Sequence, residues 1–256
     1  MTAPREHVLI LDFGSQTTQL IARRVREAGV YCEIHPFHWS LEKIKAFNPG
    51  AIILSGGPAS VYDEEAPMPD AGIFELGLPL LGICYGMQAM TVLNGGRIEA
   101  SDHREFGRSE IQIHDTDGLF HGFDSSTPEV VWMSHGDRLI ALPESFDITA
   151  VTENEIPAAI AHRERPWYGV QFHPEVVHTP RGADLIQRFL FDVCDLPNTW
   201  NMSTFVDETV QGMRDRIGSD TVLCGLSGGV DSAVTAALLH RAIGDQLYCV
   251  FVDNGV

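Results

Sequence analysis

A cysteine between an apolar run and a helix-compatible segment is the feature that most constrains this chain. Residues 79–83 (PLLGI) have the character of a buried strand, and Cys84 is followed by Tyr85 and Gly86, where a helix can begin. A sharp strand-to-helix turn of this kind, a nucleophile elbow, lifts a reactive side chain above a parallel sheet. The side chain also faces the positive end of the following helix, which favours a thiolate. The motif predicts a parallel α/β sheet with a cysteine nucleophile.

Two other segments of the first half repeat this pattern. HVLILDF (residues 7–13) and AIILSGGP (51–58) are apolar runs that end in turns, as buried parallel strands do. Sites in such sheets lie at the carboxyl edge, where the strands end. Between about residues 96 and 172, short β-branched segments broken by turns predict antiparallel strands or hairpins. We therefore predict an α/β domain with a mixed, largely parallel open sheet flanked by helices.

A base for the cysteine is available in GVQFHPEV. His173 and Glu175 are two residues apart, and in an extended strand they would project to the same side. An imidazole oriented by a carboxylate can activate a cysteine from a neighbouring strand end. The alternative is that Cys84 is a buried small hydrophobe and His173 a satisfied histidine at a strand end. Gly82 and Gly86, which bracket the cysteine, favour the catalytic interpretation.

Three separated motifs, LLGICYGMQ, ILSGGPASVY and GVQFHPEV, together resemble the class I glutamine amidotransferase family over about residues 7–193. The resemblance implies Cys84 as nucleophile, His173 as general base and acid, and Glu175 as the group that orients His173. It also implies residues for the oxyanion and the substrate glutamine: Gly57, Tyr85, Gln88, Ser134 and His135. The implied reaction is hydrolysis of glutamine, through a γ-glutamyl thioester, without a cofactor. A polar turn is the alternative for Ser134 and His135 in MSHGD.

A second motif, LSGGVDSAVTAAL (residues 226–238), places glycines and serines between a predicted strand and a predicted helix. Backbone amides and hydroxyls at such a position can wrap an anion, although a plain tight turn is the alternative. SGGVDS resembles the pyrophosphate-binding loop of the N-type ATP pyrophosphatases, which implies ATP and Mg²⁺. The implied ATP-binding residues are Ser227, Gly228, Gly229, Val230, Asp231, Ser232 and Ala233. Of these, Asp231 is the one suited to the metal.

The order of the motifs predicts two domains and a linker. We expect an amidotransferase domain at 1–194, a linker at 195–203, and the N-terminal fragment of an ATP pyrophosphatase domain at 204–256. A glutaminase followed by SGGVDS resembles the GMP synthetase family, ligases that aminate adenylated xanthosine monophosphate (XMP). Glutamine, ATP and XMP would then be substrates of the complete enzyme. Because the chain ends after one predicted βαβ unit, we expect it to be at most a glutaminase, and a homodimer only if a C-terminal domain is present.

Net charge and cysteine usage narrow the partners and the cellular location that this chain is expected to have. The chain has 17 lysines and arginines against 35 aspartates and glutamates, a net charge of −18, which argues against binding to nucleic acid or to acidic membranes. Five widely spaced cysteines without a CxxC pair or an apparent leader predict a cytoplasmic protein. Two alternatives stay open: a free-standing glutaminase or γ-glutamyl hydrolase, and a non-catalytic truncated remnant.

Overall fold

This computed structural model describes residues 5–251, apart from the side chains of residues 101–104 and of Glu208. The last five residues of the predicted second domain therefore lie outside the described part. The chain divides into two compact units, Met1–Thr199 and Trp200–Val256. No helix among the described residues combines the length and hydropathy needed to cross a membrane.

The first half of the first unit alternates strands and helices. In chain order they are β1 (His7–Asp12), α1 (Thr18–Glu27), β2 (Tyr31–Pro36), α2 (Leu41–Phe47), β3 (Ala51–Leu54), β4 (Leu80–Ile83) and α3 (Tyr85–Leu93). A 3₁₀ helix at Ala71–Glu75 precedes β4. Every residue of β3 and β4 is buried, as expected for central parallel strands that are covered on both faces.

The second half is richer in strands. In chain order it contains β5 (Arg97–Ile113), β6 (Glu129–Ala141), β7 (Phe146–Thr152), β8 (Pro157–His162), β9 (Trp167–Val170) and α4 (Gly182–Arg188). A 3₁₀ turn at Gly118–Phe120 follows β5, and α4 runs into a π-helical turn at Phe189–Val193. The strand-rich second half agrees with the antiparallel strands or hairpins predicted for about residues 96–172.

One nine-stranded sheet joins both halves in the order β2-β1-β3-β4-β9-β8-β7-β5-β6. The strands from β2 to β9 pair in parallel, and those from β9 to β6 pair antiparallel. The prediction of a mixed α/β sheet flanked by helices is confirmed. Because β9 returns beside β4, the segment after β9 reaches the carboxyl end of β4, where Cys84 lies.

The sheet separates two apolar cores. Along β1, Val8 and Ile10 belong to one core, which includes the inner faces of α1 and α4. Leu9 and Leu11 belong to the other, which includes α3 and Ile44 of α2. Successive residues of a strand point to opposite faces, so a strand buried on both sides has to be apolar throughout. This explains the continuous apolar runs in the sequence.

The second unit is a small helix–strand assembly. It contains α5 (Met202–Ile217), β10 (Val222–Leu226), α6 (Val230–Ile243), a 3₁₀ turn (Gly244–Gln246) and β11 (Leu247–Phe251), and β10 pairs with β11 in parallel. The side chain of Asn201 accepts a hydrogen bond from the Thr204 amide at 2.9 Å and caps α5. The helix therefore begins two residues inside the segment that was expected to be a linker.

Candidate active site

Cys84 occupies a strained turn between β4 and α3. Its backbone has φ 51° and ψ −108°, a left-handed conformation that is costly for a residue with a Cβ atom. The Cys84 amide donates to the Val170 carbonyl at 2.8 Å and so ties the turn to the end of β9. The side chain is nearly buried. The structure thus contains the predicted elbow, with the sulfur held in place by the backbone.

The glycines on either side of Cys84 allow α3 to pack closely against the sheet. A Cβ atom on Gly82 would lie 2.6 Å from the Met87 amide nitrogen, and one on Gly86 would collide with the Leu54 backbone. Any side chain at these two positions would push the helix away from β3 and β4. The glycines therefore determine how closely the start of α3 packs against β3 and β4.

His173 and Glu175 form a buried pair beside the elbow. Nδ1 of His173 lies 2.7 Å from Oε1 of Glu175, whose side chain is fully buried. With Nδ1–H donating to the carboxylate, Nε2 is the ring nitrogen left for proton exchange in the cavity that His173 and Cys84 both line. Burial by itself would lower the pKa of His173, but the interactions with Cys84 and Glu175 outweigh it and raise the pKa to about 10. The imidazole is therefore protonated at neutral pH.

His173 and Glu175 were predicted to meet because both would lie on one extended strand, and this reason is wrong. Strand β9 ends at Val170, so His173 and Glu175 lie in the turn that follows the strand and not in extended backbone within it. The turn is held by other contacts. The Thr179 hydroxyl donates to the His173 carbonyl at 2.7 Å and accepts from the Trp132 amide at 3.0 Å. Arg24 of α1 donates to the Glu175 carbonyl at 3.2 Å.

A cavity of about 370 Å³ opens on one side of Cys84. It is lined by all the residues that were predicted for the oxyanion and the substrate: Gly57, Tyr85, Gln88, Ser134 and His135. Tyr85 is the first residue of α3, and helix geometry leaves its amide without an intrahelical partner. A Cβ atom on Gly57 would lie 3.3 Å from the Tyr85 ring, so the two residues are neighbours. The structure brings all five residues together with Cys84.

Hydrogen bonds fix the polar side chains of this cavity. Gln88 donates to Oε1 of Gln171 at 3.2 Å, and Gln171 in turn donates to the Cys84 sulfur at 3.6 Å. Nδ1 of His135 donates to the Asp137 carbonyl at 2.8 Å, while the Tyr62 hydroxyl donates to Oδ1 of Asp137 at 2.7 Å.

The alternative of a polar turn for MSHGD is wrong, because these residues lie within β6. The exposed Ser134 presents its backbone carbonyl to Cys84, 3.7 Å from the sulfur.

The predicted ATP loop joins β10 to α6 in the second unit. Gly228 has φ 78°, and the Ser227 and Ser232 hydroxyls are 3.1 Å apart. Gly229 is the N-cap of α6 and provides no side-chain cap, so helix geometry leaves the first amides of the helix without an intrahelical partner. Such a loop fits a phosphate group. Among the described residues, no cluster of three or more His, Cys, Asp or Glu side chains is suited to a metal ion, so Asp231 is not part of such a cluster.

Comparisons with known proteins bear on both units. The family profile described as "Glutamine amidotransferase class-I" matches residues 9–193, and the one described as "NAD synthase" matches residues 201–252. Glutamine-hydrolysing GMP synthases of Desulfotalea psychrophila and Caldanaerobacter subterraneus are 53% and 54% identical over 256 residues, which is all of this chain and 50% of each relative. The chain thus spans about half the length of the curated relatives it matches.

A solved structure agrees with the fold. A Thermoplasma acidophilum protein, described as one subunit of a GMP synthase, superposes with a TM-score of 0.67 at 29% identity, covering 76% of this chain and 96% of that one. The predicted resemblance is confirmed by the profile match across the nine-stranded sheet and the elbow. The chain belongs to the class I glutamine amidotransferase family.

Proposed function

We propose that this chain is the glutaminase domain, together with the beginning of the synthetase domain, of a glutamine-hydrolysing GMP synthase. The observation that carries the proposal is a buried Cys84–His173–Glu175 arrangement on the same chain as the SGGVDS loop. Relatives described as GMP synthases are similar across both regions. The reaction proposed for the segment itself is release of ammonia from glutamine, and amination of XMP belongs to the complete enzyme.

In the first half of the proposed reaction, the Cys84 sulfur attacks the side-chain carboxamide carbon of glutamine. The amides of Tyr85 and Gly57 are the proposed donors to the oxyanion that develops. His173, protonated at neutral pH, gives its Nε2 proton to the leaving nitrogen, so that the carbon–nitrogen bond breaks and ammonia departs. A γ-glutamyl thioester on Cys84 and a neutral imidazole remain.

In the second half, water attacks the thioester carbonyl and loses a proton to Nε2 of His173. The carbon–sulfur bond breaks, glutamate leaves, and the thiolate and the imidazolium are restored. Glu175 orients the imidazole through Nδ1 and stabilises the imidazolium before acylation and after deacylation. The net change is glutamine plus water to glutamate plus ammonia, with no cofactor.

The role proposed for the second unit is to bind ATP at Ser227–Ser232. The exposed loop amides and the two hydroxyls suit the phosphates, and Mg²⁺ would reach Asp231 together with ATP. The profile match to NAD synthase over this region supports nucleotide chemistry. Five free cysteines support a cytoplasmic location for the proposed enzyme. An intact amidotransferase site argues against a non-catalytic remnant, and the second unit argues against a free-standing glutaminase.

An extended chain would test the assignment. The full 256-residue sequence is joined at Val256 to the second half of the Desulfotalea psychrophila relative and supplied with XMP, ATP and Mg²⁺. We expect GMP to form with either glutamine or ammonium salts, and the Cys84→Ala form to use ammonium alone. The assignment would be wrong if the extended chain made GMP from ammonium but never from glutamine, or aminated a different acceptor in preference to XMP.

Replacement of Thr179 tests how the turn carrying His173 is held. Thr179→Val keeps the shape but removes the hydroxyl that links the His173 carbonyl to the Trp132 amide. We expect kcat for glutamate release to fall roughly 10-fold to 100-fold with little change in KM, because the imidazole is displaced from the reacting atoms. Thr179→Ser restores the hydroxyl and should recover most of the rate. Equal rates for the two variants would exclude this role.

A further inference from the structure

A second cavity, of about 330 Å³, meets the first one at Cys84. The two share a short wall that contains Gly57, Pro58, Cys84 and Ser134. Beyond that wall the linings differ. Gln88 and His135 border the first cavity, whereas His173 and Val176 border the second, together with Ser15 and Thr17 from the loop before α1. Cys84 is therefore reached from two sides by different sets of side chains.

The position of His173 assigns different roles to the two sides. Both proton transfers of the proposed reaction pass through its imidazole: one to the departing nitrogen, the other from the attacking water. Each of these small molecules must lie within hydrogen-bond reach of Nε2 when its proton moves. Of the two cavities, His173 borders the second. The carbon chain of glutamine then occupies the first cavity, where the amide and carboxylate side chains lie.

The lining of the second cavity suits small hydrogen-bonding molecules. The Ser15 and Thr17 hydroxyls are 2.8 Å apart, and the Thr17 amide donates to Ser15 Oγ at 3.1 Å. A Cβ atom on Gly56 would lie 3.2 Å from Cε1 of His173 and 3.5 Å from Ser15 Oγ, so the hydroxyl and the imidazole flank the same glycine. Hydroxyls that line the same cavity as the imidazole can orient water and ammonia there.

We propose that the cavity bordered by Ser15, Thr17, His173 and Val176 is the port through which water enters and ammonia leaves the γ-glutamyl thioester. This inference rests on the proposed glutaminase function. In the acylation step the port receives ammonia, formed from the glutamine nitrogen and the His173 proton. In the deacylation step it supplies the water that breaks the carbon–sulfur bond. Glutamine and glutamate pass through the first cavity.

A size series at Val176 tests the port. Val176→Leu and Val176→Phe add increasing bulk to the second cavity, while Val177→Phe adds the same ring at a neighbouring side chain that is 75% exposed and borders neither cavity. Deacylation should slow with size, about tenfold for phenylalanine, so that kcat and KM fall together. Rapid quenching and intact-protein mass spectrometry should show the thioester accumulating. With hydroxylamine as competing nucleophile, the yield of γ-glutamyl hydroxamate should fall in the same order.

The outcomes separate the port from the proposed function. Val177→Phe should behave as the unchanged chain does, and Ser60→Leu, which narrows the first cavity, should raise KM without accumulating thioester. The port is excluded if Val176→Leu and Val176→Phe raise KM without thioester, or match Val177→Phe, while thermal unfolding shows them folded. If the unchanged chain forms neither thioester nor glutamate, the glutaminase proposal itself fails.

Discussion

Cys84→Ala is expected to lower glutamate release by at least about 10⁴-fold, because it removes the sulfur that forms the proposed thioester. The polar cavity proposed to bind glutamine remains, so the affinity for glutamine should change little. Measuring glutamate by a coupled assay, and glutamine binding by calorimetry, separates the two effects. Retention of more than a small fraction of the rate would show that Cys84 is not the nucleophile.

Two further variants make this prediction specific. Cys249→Ala removes an exposed thiol from the second unit and should leave glutamate release unchanged. Cys84→Gly removes the nucleophile and also the Cβ atom that is unfavourable at φ 51°. We expect Cys84→Gly to be more stable than Cys84→Ala by roughly 1 kcal/mol in thermal or denaturant unfolding. Equal stabilities would mean that the elbow stores no strain that glycine can relieve.

The parts of the fold that follow from local pattern could be predicted. The runs of β1, β3 and β4 are apolar throughout because both faces of these strands are covered, and the glycines beside Cys84 indicate close packing of the next helix. The predicted linker extended to residue 203, whereas α5 begins at Met202, because Asn201 is the residue that caps it among several that could. Local sequence does not decide between competing caps.

The motifs predicted which residues form the candidate site but not the contacts that hold these residues in place. The motifs pointed to Cys84, His173 and Glu175, yet the pair lies in a turn that depends on contacts from distant segments. Thr179 joins that turn to a strand residue 47 positions away, and Arg24 contacts it across 151 positions. Gln171, which donates to the cysteine sulfur, was also missed. Contacts across such separations leave no periodic pattern in one sequence.

Glu175→Gln is expected to lower glutamate release at pH 7 roughly 100-fold or more, because a neutral amide cannot stabilise the imidazolium or hold its tautomer as a carboxylate does. The replacement is nearly isosteric, and its carbonyl can still accept from Nδ1 of His173. Oε2 of Glu175 has no hydrogen-bond partner among the described residues, so the new amide group breaks no existing contact there. Asp147→Asn, at an exposed carboxylate paired with Arg163, removes the same charge and should leave the rate unchanged.

Glu175→Gln should also change how kcat/KM and the stability to unfolding depend on pH. Folding raises the pKa of His173 from 6.5 to about 10, so the folded state binds this proton more tightly than the unfolded state does. Its contribution to stability is complete below pH 6.5 and is lost as the pH rises towards 10. In Glu175→Gln the pKa of His173 should fall, and the alkaline decline of kcat/KM and of unfolding stability should both begin at lower pH. An alkaline limb that stayed in place would show that Glu175 does not hold the imidazolium.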